Sequence, residues 1–229
     1  RELIDSLLAK FDQKKIYLIG HSWGTVLGFR IANKYPELLY AFVAIGAVVN
    51  QLESERIVLD RMKEKALQTG DAAQVEELSN VKIPFENSDQ LYYHRKWLFH
   101  FNGQTSAYKR ISKSYISSWV AKWLPVWNEA SSVNLFESLP ELRCPVYFFA
   151  GRKDNQTNST IAEAYYTKLV APKKKFFWFE RSGHSIPSTD PELMQKIIIE
   201  NILVETRCLC LYRPTTCEGN VPGANAFHC

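Results

Sequence analysis

Short apolar runs alternate along the chain with segments of helical periodicity. The runs cover residues 15–19, 40–45, 145–150 and 175–179, and the first three end directly before Gly20, Gly46 and Gly151. Runs of this length and composition predict buried strands. Helical patterns cover residues 25–35, 159–169 and 191–203. Together they predict an α/β fold with a mostly parallel sheet that helices cover on both faces.

Residues 50–135 interrupt this alternation. Residues 51–68 form a charged amphipathic pattern before Gly70, and residues 72–78 predict another helix. Eleven of the 43 residues from 85 to 127 are aromatic, about 26% against 13% in the whole chain. We therefore expect a helical cap insertion between the second and third strands. Its rings either form a lid over a site or fill the core of the insertion itself.

The two ends of the chain differ from the middle. The chain begins at Arg1, inside an amphipathic helical pattern. Four of the five cysteines lie in the last 22 residues, in a spacing that matches neither a zinc site nor a redox pair: Cys208, Cys210, Cys217 and Cys229. We expect residues 207–229 to be an atypical tail outside the fold. Cys144, just before the third strand, is expected to be a buried thiol.

Charge and composition exclude several classes of protein. The 229 residues carry 28 Lys and Arg against 24 Asp and Glu, a net charge of +4 that is spread too evenly for a nucleic-acid binder. Apolar residues make up 46% of the chain, as in a folded globular protein. The longest apolar run, residues 41–49, is too short to span a membrane. We expect a cytoplasmic protein that binds no membrane, with its oligomeric state undetermined.

The strongest chemical signal is Gly20-His21-Ser22-Trp23-Gly24, a G-x-S-x-G pattern between the first strand and the next helix. This context is that of a nucleophile elbow, a sharp turn that exposes a serine hydroxyl at the carboxyl edge of the sheet. Glycine two residues before and two after the serine is expected to avoid collisions with neighbouring elements. Ser22 is therefore the candidate nucleophile, and an ordinary glycine-rich turn is the alternative.

A serine hydroxyl needs a base to become a nucleophile at neutral pH. His184 lies in the loop after the fourth strand, which ends at the same edge of the sheet as Ser22. Of the other four histidines, His21 lies in the elbow, where its side chain is expected to point away from Ser22. His94 and His100 lie in the insertion, and His228 lies in the tail. His184 is therefore the candidate general base, and a surface loop histidine is the alternative.

The base in turn needs an acid that orients it. Asp154 lies in the turn after the third strand and is the candidate, with a turn-forming aspartate as the alternative. Asp190 competes for the role, but its place before Pro191 is more typical of a helix N-cap.

An oxyanion hole needs two donors. The backbone N–H of Trp23, which follows the serine, is expected to be one of them. The second normally comes from a loop after an earlier strand. Only 21 residues precede Ser22, so this loop is expected to be missing.

These segments resemble an α/β-hydrolase of the proline iminopeptidase-like branch. The resemblance covers residues 1–206 and rests on residues 18–25, 151–154 and 182–184, which read LIGHSWGT, GRKD and SGH. It implies an eight-stranded sheet, of which the N-terminal strands are absent here, and a catalytic triad of Ser22, Asp154 and His184. It also implies hydrolysis of a small ester or amide, or of a short peptide, without cofactor or metal. Residues 1–49 and 136–206 are then the hydrolase core, and residues 50–135 the cap.

Several functions stay open under this resemblance. Proline iminopeptidases hold the substrate amine with acidic residues of the cap, and the insertion has seven candidates that no motif separates: Glu53, Glu55, Asp60, Glu64, Glu86, Asp89 and Glu129. A serine rather than an aspartate at the elbow argues against epoxide hydrolases and haloalkane dehalogenases. The alternatives are a general carboxylesterase or lipase-like enzyme, a ligand-binding member without turnover, or an inactive fragment.

Overall fold

The computed structural model describes residues 1–103 and 112–206. In these ranges four strands form one sheet in the order β1-β2-β3-β4: β1 Ile16–His21, β2 Leu39–Ile45, β3 Val146–Gly151 and β4 Lys174–Phe179. All three neighbouring pairs are parallel. The predicted α/β fold with a parallel sheet is confirmed, and each of the four apolar runs is a strand.

Helices occupy most of the remaining described residues. The α-helices are α1 Glu2–Lys10, α2 Trp23–Lys34, α3 Gln51–Thr69, α4 Ala72–Ser79, α5 Ser88–Phe101, α6 Lys113–Ser131, α7 Leu135–Ser138, α8 Ser159–Lys168, α9 Ile186–Thr189 and α10 Pro191–Ile197. A 3₁₀ turn covers Pro36–Leu38, and π-helical turns continue α10 over Ile198–Leu203.

The two central strands are buried on both faces. Successive side chains of a strand point to opposite faces. Phe42 and Phe148 therefore pack with Phe29 of α2 on one face, and Val43 and Phe149 lie in a separate cluster on the other. This second cluster includes apolar residues of α9, α10 and the π-helical turns: Ile186, Ile197 and Ile202. Burial on both faces explains why these strands are continuous apolar runs.

The helices α3 to α6, the helical insertion, have a hydrophobic core of their own. It contains Phe85, Trp97 and residues of α3 to α6. Asn50 and Asn134 form an antiparallel bridge, and the Leu135 N–H donates to the Val49 carbonyl at 3.0 Å. The two ends of the insertion thus lie side by side where it leaves and rejoins the sheet. Aromatic residues of the insertion lie in this core, in agreement with the expectation that its rings fill the core of the insertion itself. The division of the chain into domains stays a prediction.

Two further expectations concern the cysteines and the membrane. Cys144 is 1% exposed, as predicted, and its burial raises its pKa to about 11. The tail at 207–229 lies outside the described residues. Within residues 1–103 and 112–206, no helix combines the length and apolar character that crossing a membrane requires.

Two glycines of α2 allow a matched test of how closely this helix packs on the sheet. A Cβ at Gly28 would lie 2.4 Å from the ring of Phe42, which is fully buried, whereas a Cβ at Gly24 would meet no atom within 4 Å. We expect Gly28→Ala to destabilise the fold by about 1–3 kcal/mol through overpacking. Gly24→Ala should be neutral or stabilising by up to about 1 kcal/mol through helix propensity. Urea unfolding of both variants measures this, and equal midpoints would contradict it.

Candidate active site

Ser22 lies in a strained turn between β1 and α2. Its φ of 55° and ψ of −123° are unusual for a residue with a side chain. The turn is held because the Ser22 N–H donates to Ile45 O at 2.9 Å and the Thr25 hydroxyl donates to Ser22 O at 2.7 Å. A Cβ at Gly20 would lie 2.8 Å from Gly24 O, so the first glycine of the motif is required. A side chain at Gly24 was also expected to collide with a neighbouring element, but a Cβ there would meet no atom of the described residues within 4 Å.

His184 connects Ser22 to Asp154. The Ser22 hydroxyl lies 2.7 Å from His184 Nε2, and His184 Nδ1 lies 2.9 Å from Asp154 Oδ2. A carboxylate can only accept, so Nδ1 carries the proton and Nε2 is free to accept from the hydroxyl. In the sequence, Asp154 lies 132 positions after Ser22, and His184 lies 30 positions after Asp154. The structure brings all three together.

Asp154 is 5% exposed, and its carboxylate is nevertheless well satisfied. Oδ1 accepts from the N–H groups of Gln156 and Thr157 at 2.8 and 3.1 Å, and Oδ2 also accepts from the Thr157 hydroxyl at 2.9 Å. Burial by itself raises the pKa of Asp154, but the hydrogen bond and the charge of His184, with the two N–H donors, outweigh it and hold the pKa below its usual range.

Two glycines that close strands bring the loops together. A Cβ at Gly151, the last residue of β3, would lie 2.1 Å from Gly183 O in the loop that carries His184. Gly46 follows β2 with φ +54°, and a Cβ there would lie 3.2 Å from the His184 ring. Their positions after apolar runs were visible in the sequence. The sequence did not reveal their role in the site, because that role depends on which residues the fold places against them.

The ring of His21, which was expected to point away from Ser22, lies beside His184. His21 Nε2 is 2.9 Å from the backbone carbonyl of His184, and the two ring centroids are 5.1 Å apart. A carbonyl only accepts, so His21 Nε2 donates. His21 thus holds the backbone of the histidine loop.

Asp190, the competing acid, does not contact His184 through any hydrogen bond of the described residues. It occupies the N-cap position of α10, as expected, but its carboxylate bonds elsewhere. One oxygen accepts from Arg181 at 2.7 Å and the other from the Ser182 hydroxyl at 2.8 Å. Asp190 therefore stabilises the start of the histidine loop.

Trp23 is the first residue of α2, so its backbone N–H has no intrahelical acceptor. The positive end of the helix dipole lies at the same place. The indole ring of Trp23 stacks on Trp127 of α6 with centroids 5.0 Å apart and an angle of 6° between the rings. The helical insertion thus reaches the residue next to Ser22.

A model of the α/β-hydrolase fold matches residues 1–191, more than half of the chain. The chain belongs to the α/β-hydrolase fold family.

Two curated relatives of this α/β-hydrolase have names that mention peptidase activity. The chain is 28% identical over 207 residues to "Probable aminopeptidase YbaC" of Bacillus subtilis, and this alignment covers 82% of the chain and 65% of the relative. It is 23% identical over 194 residues to the proline iminopeptidase of Heyndrickxia coagulans, covering 78% of the chain and 63% of the relative. The chain thus spans less than two thirds of the length of either relative.

Solved structures share the fold. The proline iminopeptidase of Mycobacterium smegmatis aligns with a TM-score of 0.54 at 13% identity, over 90% of this chain and 72% of that one. MGS-M2, an α/β-hydrolase enzyme from a deep-sea metagenome library, aligns with a TM-score of 0.54 at 18% identity, over 87% and 69%. At these identities the likeness shows the fold alone.

A cavity of about 440 Å³ lies beside His184 in this α/β-hydrolase. It is lined by residues of α5 and of the loops after β3 and β4: Phe101, Asn102, Lys153, Asn155, Arg181, Gly183 and His184. Within residues 1–103 and 112–206, no cluster of three or more His, Cys, Asp or Glu residues has the arrangement of a metal site.

The lowered pKa of Asp154 gives a test through stability. A carboxyl whose pKa is lower in the folded than in the unfolded state contributes stability above the unfolded value of about 3.9, and this is lost as the pH falls through the folded value. We expect Asp154→Asn to cost about 1–3 kcal/mol at pH 7, because the amide has one acceptor oxygen instead of two, so either the His184 N–H or the N–H groups of Gln156 and Thr157 lose their acceptor. The difference from the parent should shrink below about pH 4. Urea unfolding at pH 3 to 7 measures it.

Asp60→Asn is the matched control, because Asp60 is an exposed residue of α3. A surface substitution of this kind should change stability by less than about 0.5 kcal/mol. A cost of Asp154→Asn that stays constant down to pH 3 would contradict the prediction.

Proposed function

We propose that Ser22, His184 and Asp154 form the catalytic triad of a serine hydrolase that cleaves a small ester or amide through an acyl-enzyme. The observation that carries the proposal is the hydrogen-bond chain from Ser22 Oγ through His184 to Asp154, with distances of 2.7 and 2.9 Å. Nucleophile and base are within the reach that proton transfer requires.

In this mechanism Ser22 Oγ attacks the substrate carbonyl carbon while His184 Nε2 takes the hydroxyl proton. Asp154 holds the imidazole in the tautomer that accepts at Nε2 and stabilises the imidazolium that forms. His184 then gives the proton to the leaving alcohol or amine, which leaves the acyl group on Ser22. A water molecule, activated by the same histidine, releases the acid and restores the serine.

We assign one oxyanion donor to the backbone N–H of Trp23. It is adjacent to Ser22 in the chain, lacks an intrahelical acceptor and lies at the positive end of α2. A donor of this kind acts on the charge that develops in the transition state.

The names of the two curated relatives favour an aminopeptidase that removes an N-terminal residue, with proline as the first candidate. Of the seven acidic candidates for the substrate amine, Glu55 is the one that is buried, at 1% exposed. Arg95 and Gln51 donate to it, which leaves the other six for that role. The alternative is a carboxylesterase with the same triad, which would not need an amine-binding acid.

Ser22→Ala tests the nucleophile. We expect p-nitrophenyl acetate hydrolysis to fall by at least about 10³-fold and labelling by a fluorophosphonate to disappear, because no oxygen remains to be acylated. Ser112→Ala is the matched control. Ser112 is an exposed serine directly before α6, and Ser22 occupies the same position before α2. Turnover and labelling that persist in Ser22→Ala would rule out the triad. A parent protein that folds but is never labelled would favour a ligand-binding member without turnover.

A substrate panel separates the two enzyme classes. We expect hydrolysis of proline β-naphthylamide, and a clear loss of rate when the proline nitrogen is acylated, because a blocked amine has no charge for an acid to bind. Rates of p-nitrophenyl esters in the same samples are the reference. Ester hydrolysis without any action on proline β-naphthylamide would assign the protein to the carboxylesterases.

A further inference from the structure

The helical insertion contains a buried charged cluster. Glu55 of α3 is 1% exposed, and both of its oxygens accept from Arg95 of α5, at 2.5 and 2.8 Å. Burial by itself raises the pKa of Glu55, but the charge of Arg95, the neighbouring His94 and the hydrogen bonds from Arg95 and Gln51 together outweigh it and lower the pKa to about 2. A buried pair of this kind stays charged only while its geometry is maintained.

His94 completes the cluster as a neutral residue. It is fully buried, which lowers its pKa to about 4, so at pH 7 it carries no charge. Arg95 lies 2.8 Å from His94 Nδ1 and can only donate, so Nδ1 accepts and Nε2 carries the proton. Nε2 lies 3.2 Å from a Glu55 oxygen. Nε2 also bonds to the Glu55 backbone carbonyl at 3.4 Å, so His94 and Arg95, neighbours on α5, both face Glu55.

Gln51 connects this cluster to the loop that follows β3. It lies one turn before Glu55 on the same face of α3 and is 3% exposed. Its Nε2 donates to Glu55 Oε1 at 2.8 Å and to the Gln156 carbonyl at 3.0 Å. Both partners can only accept, so both hydrogens of the Gln51 side-chain amide are used. This determines which end of the amide is the nitrogen.

Gln156 in turn contacts Asp154. Its backbone N–H donates to Asp154 Oδ1 at 2.8 Å, while its carbonyl accepts from Gln51. A second contact from α3 reaches the neighbouring residue, where Arg61 donates to the Asn155 side chain at 3.2 Å. Gln51 is the buried contact of the two, because Arg61 is exposed.

We propose that Gln51, oriented by the Glu55–Arg95 pair, is a positioning residue that holds the loop carrying Asp154. It touches neither substrate nor reacting atoms, and acts by keeping Asp154 Oδ2 on the His184 Nδ1–H. The geometry of the catalytic site therefore depends on the helical insertion, which is separate in sequence from every residue of the proposed triad. This proposal rests on the proposed function.

The test removes the amide donors of Gln51 in two ways. Gln51→Met keeps the length and loses both donors, and Gln51→Asn keeps the polarity but is too short to reach both acceptors. We expect each to lower kcat for p-nitrophenyl acetate by roughly 10-fold with KM changed by less than about twofold, because a small displacement of a catalytic group is costly. Gln74→Met is the matched control: Gln74 is a 5% exposed glutamine of α4, on another helix of the insertion.

The pH dependence distinguishes positioning from a general loss of stability. When Asp154 is displaced, the His184 imidazolium loses stabilisation, so the acid limb of kcat/KM should move to lower pH by roughly half a unit. Among the described residues, the other titratable groups that contact His184 or line the adjoining cavity are His21, Lys153 and Arg181, and both variants leave them in place. Gln74→Met should leave the acid limb where it is in the parent.

A spectroscopic readout makes the test independent of turnover. We expect the His184 Nδ1–H, which donates to Asp154, to give a proton resonance at low field in the parent. This resonance should broaden or shift upfield in both Gln51 variants and remain in Gln74→Met. A parent-like resonance and acid limb in folded Gln51→Met and Gln51→Asn would overturn the positioning role and leave the triad intact. Loss of the triad itself is reported separately, by Ser22→Ala.

Discussion

The hydrogen bond between His184 and Asp154 depends on how closely the loops after β3 and β4 approach each other. Gly151 leaves no room for a side chain against Gly183, and the Lys153 N–H donates to the Ser182 carbonyl at 3.0 Å. The parallel pairing of β3 with β4 brings both loops to the same edge. The 2.9 Å distance between acid and imidazole is thus a consequence of strand register and of one residue without a Cβ.

The remaining parts of the site are held by the same sheet. The Ser22 N–H donates to the end of β2, and Gly46 directly after β2 lies against the His184 ring. The backbone strain of Ser22 is maintained because its N–H is bonded to the end of the buried strand β2 and its carbonyl to the Thr25 hydroxyl. The sheet therefore acts as a rigid platform whose strand ends hold Ser22, His184 and Asp154 of the proposed triad. Such a platform suits chemistry that needs fixed distances.

The helical insertion contributes a different kind of constraint. Its buried Glu55–Arg95 pair keeps both charges satisfied only while both partners are in place, so it favours one arrangement of α3 against α5. Through Gln51 this pair reaches the loop of Asp154, and through Trp127 the insertion stacks on Trp23. The insertion thus contacts both ends of the proposed triad, beside the acid and beside the serine.

The sequence by itself determined the order of strands and helices, because buried strands and amphipathic helices leave a periodic pattern in the residues next to one another. It also predicted Ser22, Asp154 and His184, because each follows an apolar run and parallel strands end at one edge. The tertiary structure decided what depends on distant partners: the bond of His21 to the His184 carbonyl, the open space at Gly24 and the contact of Gln51 with Gln156. A glutamine or histidine that bonds to a distant backbone carbonyl has no local signature, since its role is set by the acceptor that folding brings opposite it.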